Sequence, residues 1–269
     1  MKRLNKLRLL QATLIKKFIH QTKTIAQNKG SIMQHTEIQI LFDNHTYRDN
    51  MTGLWGFACL VVHDGYTILF DTGSNGRILL QNMERMNIDP AKINWIMTSH
   101  PHWDHTGGLD SVLELNPSAK LCLPASLSPY MIRDLERLSG KTVIINDHPE
   151  EFLPAFHSTG TMSVTGEQAL VIERADGIIV ITGCAHAGID KVVARAMETL
   201  AKPVILVLGG FHLMDSPEEK IEKTIQHLQE LGVKKVCPTH CTGEAAMNLF
   251  RERFGKNFTD GGAGKLISI

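Results

Sequence analysis

Residues 95–108 read WIMTSHPHWDHTGG, an apolar strand-like run that passes directly into His100, His102, Asp104 and His105. Four groups able to bind a metal or move a proton thus fall within six positions. A chain built this way needs a fold whose buried strand ends open on a cleft, because layered α/β proteins carry their functional groups on the loops that leave the strands. Alternation sends His100 and His102 to the same side of an extended strand end. Asp104 and His105, entering the next helix, reach the same cleft from another angle, so the loop has room for two ions. Neutral imidazole and carboxylate ligands suit Zn²⁺ first, with Mn²⁺ or Fe as alternatives. Gly107 and Gly108 let the backbone turn tightly after these residues and approach the sheet closely. Local hydrogen bonding at a helix start accounts poorly for so dense a cluster.

The rest of the chain agrees with a layered fold. Strand-like runs IQILF, GFACLVVHDG, YTILFDTG, NWIMTS, KLCLP, KTVIIN, ALVIERADGIIVITG, PVILVLGG and VKKVCPTH alternate with helical stretches near Gly76–Met86, Asp190–Leu200, Pro217–Leu231 and Gly243–Phe254. LDSVLELN and LSPYMIRDLERL are also helical in pattern. Sheets with helices between them imply a mixed α/β (α+β) architecture, each sheet covered on one face by the other and on the other face by helices. No linker or repeat interrupts residues 33–269, which read as one domain.

Charge separates residues 1–32 from this body. Residues 1–30 hold eight Lys/Arg and no acid, whereas from Met33 onward 28 acids face 20 Lys/Arg. The arm reads as a basic amphipathic extension suited at most to weak contact with a membrane surface, or as sequence preceding a true start at Met33. An acidic body lacks the broad basic face that nucleic acids require. No run of about 18 apolar residues is present, so a membrane span is not expected. Five cysteines without framework spacing point to a reducing, cytoplasmic setting. Helices in the outer layers leave a homodimer open.

The cluster matches the H-x-H-x-D-H signature of the metallo-β-lactamase superfamily position for position, and the chain resembles that superfamily over about residues 36–258. FDTGSNG, SHPHWDHTGGL, ITGCAHAGI, GGFHL and PTHCTG together are similar to one branch. That branch comprises 7,8-dihydropterin-6-ylmethyl-4-(β-D-ribofuranosyl)aminobenzene 5′-phosphate synthases and similar metal-dependent hydrolases. The resemblance implies a four-layer αββα sandwich and one or two divalent ions. One ion would be held by His100 and His102, the other by Asp104, His105 and His240, with Asp71 behind them orienting the loop. The sequence departs from the usual pattern twice. Cys184 stands where many members have a metal-bridging aspartate, and the region Gly166-Glu-Gln-Ala-Leu lacks the usual third histidine. His186 is the first candidate to replace it and His212 the second. Cys184 and Cys241 also suit a plain role as small buried residues. His20, His35, His45, His63, His148, His157 and His227 lack ligand spacing and are expected at the surface, His157 on a loop that could cover the cleft.

A divalent ion on this loop would lower the pKa of bound water toward about 7 and polarise a carbonyl or phosphoryl oxygen. The expectation is a metal-dependent hydrolase of a small ester or phosphoester. Asp104 would orient or deprotonate the attacking water, and His186 or His212 would stabilise developing charge. The alternative is a dihydropterin transferase that releases pyrophosphate. A non-catalytic ligand sensor is a third reading, disfavoured by the intact ligand set.

Overall fold

Period-two alternation decides which way each strand faces. In β2 (Ala58–His63), Cys59 and Val61 enter an apolar cluster shared with a second sheet, whereas Ala58 and Leu60 face outward beneath helices. β3 (Tyr66–Phe70) and β4 (Trp95–Met97) repeat the division, with Ile68, Phe70, Trp95 and Met97 inward and Leu69 and Ile96 outward. On the opposing sheet, β10 (Gly177–Thr182) sends Ile179 and Ile181 inward and Ile178 and Val180 outward. Strands apolar on both faces must be covered twice, which forces two sheets together with helices outside each.

The computed structural model describes residues 35–269; the basic arm of residues 1–32, His20 and the alternative start at Met33 lie outside them. The first sheet runs β13-β1-β2-β3-β4-β5-β6 and the second β12-β11-β10-β9-β8-β7. Completing the first are β1 (Thr36–Phe42), β5 (Lys120–Pro124), β6 (Lys141–Ile145) and β13 (Leu266–Ser268). The second adds β7 (Glu150–Leu153), β8 (Phe156–Ser158), β9 (Leu170–Arg174), β11 (Val204–Gly210) and β12 (Lys235–Thr239). Pairing is parallel from β3 through β6 and from β10 through β12. Parallel strands bring their C-terminal ends to one edge of each sheet, where connecting loops gather.

On the first sheet, α1 (Gly76–Arg85), α3 (Leu109–Leu115) and α4 (Pro129–Leu138) bury Leu79, Met83, Leu109, Val112, Leu113 and Leu135. The short α2 (Trp103–Thr106) carries the ligand-rich loop. On the second sheet, α5 (Ile189–Leu200), α6 (Glu218–Glu230) and α7 (Glu244–Phe254) bury Val192, Val193, Ile221, Ile225, Leu228 and Phe250. The four layers are αββα, as the resemblance implied.

Several details differ from expectation. The β7–β8 hairpin was not apparent in the sequence, since EEFLPAFHS combines two acids and a proline and shows no clean alternation. His63 and His157, expected at the surface, are buried. His63 ends β2 on its inner face, with Nδ1 2.9 Å from Thr36 Oγ1 and its ring edge-on to Phe156. His157 lies in β8 rather than on a covering loop, its Nε2 3.2 Å from Glu173 Oε2. Gly107 and Gly108 keep negative φ; their value is close approach, since a Cβ at either would stand 2.5 Å from Ser74 O or Thr72 O. All five cysteines are buried and unpaired. No helix among the described residues is long and apolar enough to cross a membrane.

Candidate metal centre

Four strands end in a reversal that an L-residue adopts reluctantly. Asp71 after β3 (φ 57°), Ala185 after β10 (φ 58°), His212 after β11 (φ 51°) and His240 after β12 (φ 51°) all occupy the left-handed region. Each costs roughly 1–3 kcal/mol and persists because the surrounding packing holds it, a pattern that concentrates at functional sites. Here the reversals turn the chain from both sheets into one cleft.

On the side of the first sheet, Asp71 organises the loop. Its Oδ1 accepts from Ser99 N and its Oδ2 from Ser99 Oγ and His105 Nδ1, each at 2.7 Å. Ser99 Oγ, having donated to Asp71, accepts from His100 Nδ1 at 2.8 Å. With Nδ1 of His100 and of His105 both occupied as donors, their Nε2 atoms carry free lone pairs. His100 Nε2 lies 3.0 Å from His102 Nδ1.

From the second sheet, Glu167 treats His186 as Asp71 treats His105. This buried carboxylate accepts from Cys184 N (2.7 Å), Ala185 N (2.8 Å) and His186 N (2.8 Å), and from His186 Nδ1 at 2.7 Å. The His186 ring then packs 4.8 Å from that of His100 and 4.9 Å from that of His102. A second group forms around Asp104, whose Oδ2 lies 3.6 Å from His105 Nε2 and 3.4 Å from His240 Nε2. His240 is fixed from behind by Asn44, whose Oδ1 is 2.9 Å from Nδ1, while Asn44 Nδ2 donates to the His240 carbonyl at 3.1 Å. Trp55 packs its ring 5.0 Å from His240.

Cys184 stands between the two groups. Its Sγ is 3.3 Å from His105 Nε2, and the sulfur has potential ligand atoms of His100 and His186 on one side and of His105 and His240 on the other, within 4.8 Å in each group. His212, exposed, packs its ring 4.5 Å from that of His186, tilted by 44°, and groups with Cys184 and Cys241. The structure therefore brings together every residue singled out for the site, with His186 beside His100 and His102, and His212 one step outside. Glu167, Ser99 and Asn44 were not foreseen. Each bonds the far nitrogen of a candidate ligand, and no spacing in the sequence advertises that.

Electrostatics keeps the donors in ligand form. Burial, followed by the neighbouring His105, pulls His100 down to about 3; burial and His240 pull His105 to about 4. Both are neutral imidazoles at pH 7. Burial pushes against the ionised forms of Asp104 and Glu167, yet the close imidazoles of His240 and His105 for Asp104, and the hydrogen bonds from His186 for Glu167, outweigh it and hold both below the ordinary carboxylate range. Asp71 is raised by burial to about 7, against the opposing pull of His100 and the Ser99 donors; a cation nearby would restore its charge. His240 Nε2 is buried without a hydrogen-bond partner. An orphaned ring nitrogen facing a carboxylate and a second imidazole fits a divalent ion, because burying such an atom unpaired costs about 1–3 kcal/mol. Carboxylate-anchored imidazoles are the usual support of metal ligands.

An αββα sandwich with histidine and aspartate side chains converging at one edge of its sheets defines a metallo-β-lactamase-type domain. The chain belongs to the metallo-β-lactamase superfamily, whose sequence profile matches residues 53–240. It is 32% identical over 248 residues to the 7,8-dihydropterin-6-methyl-4-(β-D-ribofuranosyl)-aminobenzene-5′-phosphate synthase of Methanocaldococcus jannaschii, spanning 75% of this chain and 84% of that one. An uncharacterised protein of the same organism is 26% identical over 265 residues, 86% of this chain and 100% of its own length. Among solved structures, a metal-dependent hydrolase of the β-lactamase superfamily superimposes with a TM-score of 0.75 at 27% identity, covering 87% of this chain and 99% of that one.

Proposed function

We propose that the protein is a metal-dependent hydrolase of a small phosphoester or ester, holding one or two divalent ions, zinc foremost. What carries the reading is the set of side chains anchored at their far nitrogens: Asp71 on His105, Ser99 on His100, Glu167 on His186 and Asn44 on His240. His100, His102 and His186 would hold one ion and Asp104, His105 and His240 the other, with the Cys184 sulfur between them. A bound ion supplies Lewis-acid polarisation of a phosphoryl or carbonyl oxygen and lowers the pKa of water that it holds.

The chain's own groups do the rest. Asp104, buried and kept ionised by its imidazole neighbours, accepts a hydrogen bond from the attacking water and orients it. Glu167 keeps the His186 ring from rotating, so the loop after β10 presents one face to the substrate. His212, packed against His186 and open to solvent, is placed to donate to an oxygen that gains charge as the bond breaks. Five unpaired thiols support a reducing, cytoplasmic setting for this chemistry.

The deciding experiment is metal content per chain by elemental analysis of protein purified without chelator or affinity tag, with His100→Ala alongside, followed by a panel of phosphoesters and carboxylic esters. One or two ions, lost in His100→Ala, together with turnover of a panel member, is the expected result; protein that stays metal-free after loading with Zn²⁺ or Mn²⁺ overturns the reading. The 32% identity to a synthase favours one second reading, transfer of a dihydropterin to an aminobenzene-type acceptor. Pyrophosphate released from a dihydropterin pyrophosphate only when the aromatic acceptor is present would select it over hydrolysis.

A further inference from the structure

A cavity of about 360 Å³ opens beside the metal cluster, with His186 and His212 on its inner wall and Lys191, Lys220 and Lys223 around it. Its charges do not cancel. Of the nearby acids, Asp190 is 3.0 Å from His227 Nδ1 and Glu219 is 2.6 Å from Lys223 Nζ. Lys191 at the start of α5 and Lys220 at the start of α6 have no ion pair among the described residues. Two ammonium groups of different helices thus face one pocket whose wall is part of the candidate metal centre. In a domain whose body is net acidic, a pocket lined by three lysines and one acid, Asp190, beside the candidate reaction cleft calls for an anionic occupant.

We propose that Lys191 and Lys220, beside His212, form an anion subsite that holds a non-reacting phosphate or pyrophosphate group of the substrate while the scissile bond lies at the metal cluster. The inference rests on the hydrolase reading above and narrows its substrates to phosphorylated molecules. Lysine suits the task because its ammonium is a point charge that satisfies a phosphate oxygen from many angles. Room for the remainder of the substrate is at hand. Lys191 and His186 also line a second, larger groove of about 950 Å³. On its wall Arg195, among the described residues, donates to the backbone carbonyls of Asp147 (3.3 Å) and Thr159 (3.4 Å), and Val164 is fully exposed. A substrate anchored between the lysines therefore has a path for its organic body past His186.

The test uses the full-length, metal-loaded protein and the double variant Lys191→Ala/Lys220→Ala, with metal content measured on both. Inorganic pyrophosphate is titrated calorimetrically, and kcat/KM is compared for a phosphorylated ester and its uncharged analogue. The expected result is pyrophosphate binding about tenfold weaker in the variant at unaltered metal content. The ratio of kcat/KM for the phosphorylated over the uncharged substrate should fall by a similar factor, with added salt eroding the wild-type advantage. Unchanged pyrophosphate affinity overturns the subsite. Weaker pyrophosphate binding with an unchanged substrate ratio overturns its assignment to the substrate, leaving a site for free anions. Should the wild type turn over neither substrate, the hydrolase reading falls, while the titration still decides whether the lysines bind anions.

Discussion

Glu167 accepts four hydrogen bonds at once, three from consecutive backbone amides and one from His186 Nδ1, in a setting that is almost completely buried. An amide in its place keeps the shape but loses the charge and turns one acceptor into a donor facing an N–H. Glu167→Gln is therefore expected to weaken metal binding by about 10–100-fold and to lower stability by about 1–3 kcal/mol, read by metal titration and thermal unfolding. Wild-type metal affinity in this variant would remove His186 from the ligand set. A related comparison separates the two histidines that the sequence left open. His186 lies among His100, His102 and Cys184 with its tautomer set, whereas His212 is exposed and nearest to His186 and the two cysteines. His186→Ala should lose more metal than His212→Ala; equal or reversed losses contradict the arrangement. The ligand loop itself was legible in the sequence, because its residues are neighbours along the chain. Glu167 was not, since a lone acid in a GEQAL segment looks like any exposed carboxylate until β9 carries it under the β10 loop.

At the level of elements, the site depends on strands ending in register. β10 and β11 run parallel, Thr182 opposite Gly209, and the chain leaves them through Cys184 and Phe211–His212. Gly209 has φ 119°, and a Cβ there would lie 2.0 Å from the Thr182 carbonyl oxygen. Neither the conformation nor the space admits a side chain, so Gly209→Ala must push the two strand ends apart. The expected cost is about 3 kcal/mol or more, seen as a lower unfolding midpoint together with reduced metal content. Wild-type stability would mean that the β11 end is not the tight junction described. Strands with clean alternation, such as β2, β3 and β10, showed themselves in the sequence because two buried faces demand continuous apolar runs. The β7–β8 hairpin stayed hidden because an edge of the sheet is half-exposed and tolerates Glu150, Glu151 and Pro154.

For the whole molecule, the candidate centre joins the two sheets. His100, His102, Asp104 and His105 leave the first, and Cys184, His186 and His240 the second, so an ion bound among them ties together surfaces that otherwise meet through apolar packing. Removing it should lower stability by mass action, by about 4 kcal/mol if the ion is present at a thousand times its Kd, or roughly 10 °C in midpoint for a domain of this size. Calorimetric scans before and after chelation check this, with recovery on adding the ion back. An unchanged midpoint would argue that nothing spans the sheets.

The sequence by itself determined what depends on near neighbours and on periodicity: alternating strands, amphipathic helices, the layered class, and the His100–His105 loop with its capacity for metal. Tertiary structure alone decided which distant groups complete that loop. The Cys184 sulfur meets His105 across 79 positions of chain, and Asn44 orients His240 across 196. Such pairings leave no periodic trace, because they arise where two sheets pack and their strand ends converge, and a sequence records only the faces that each strand must bury.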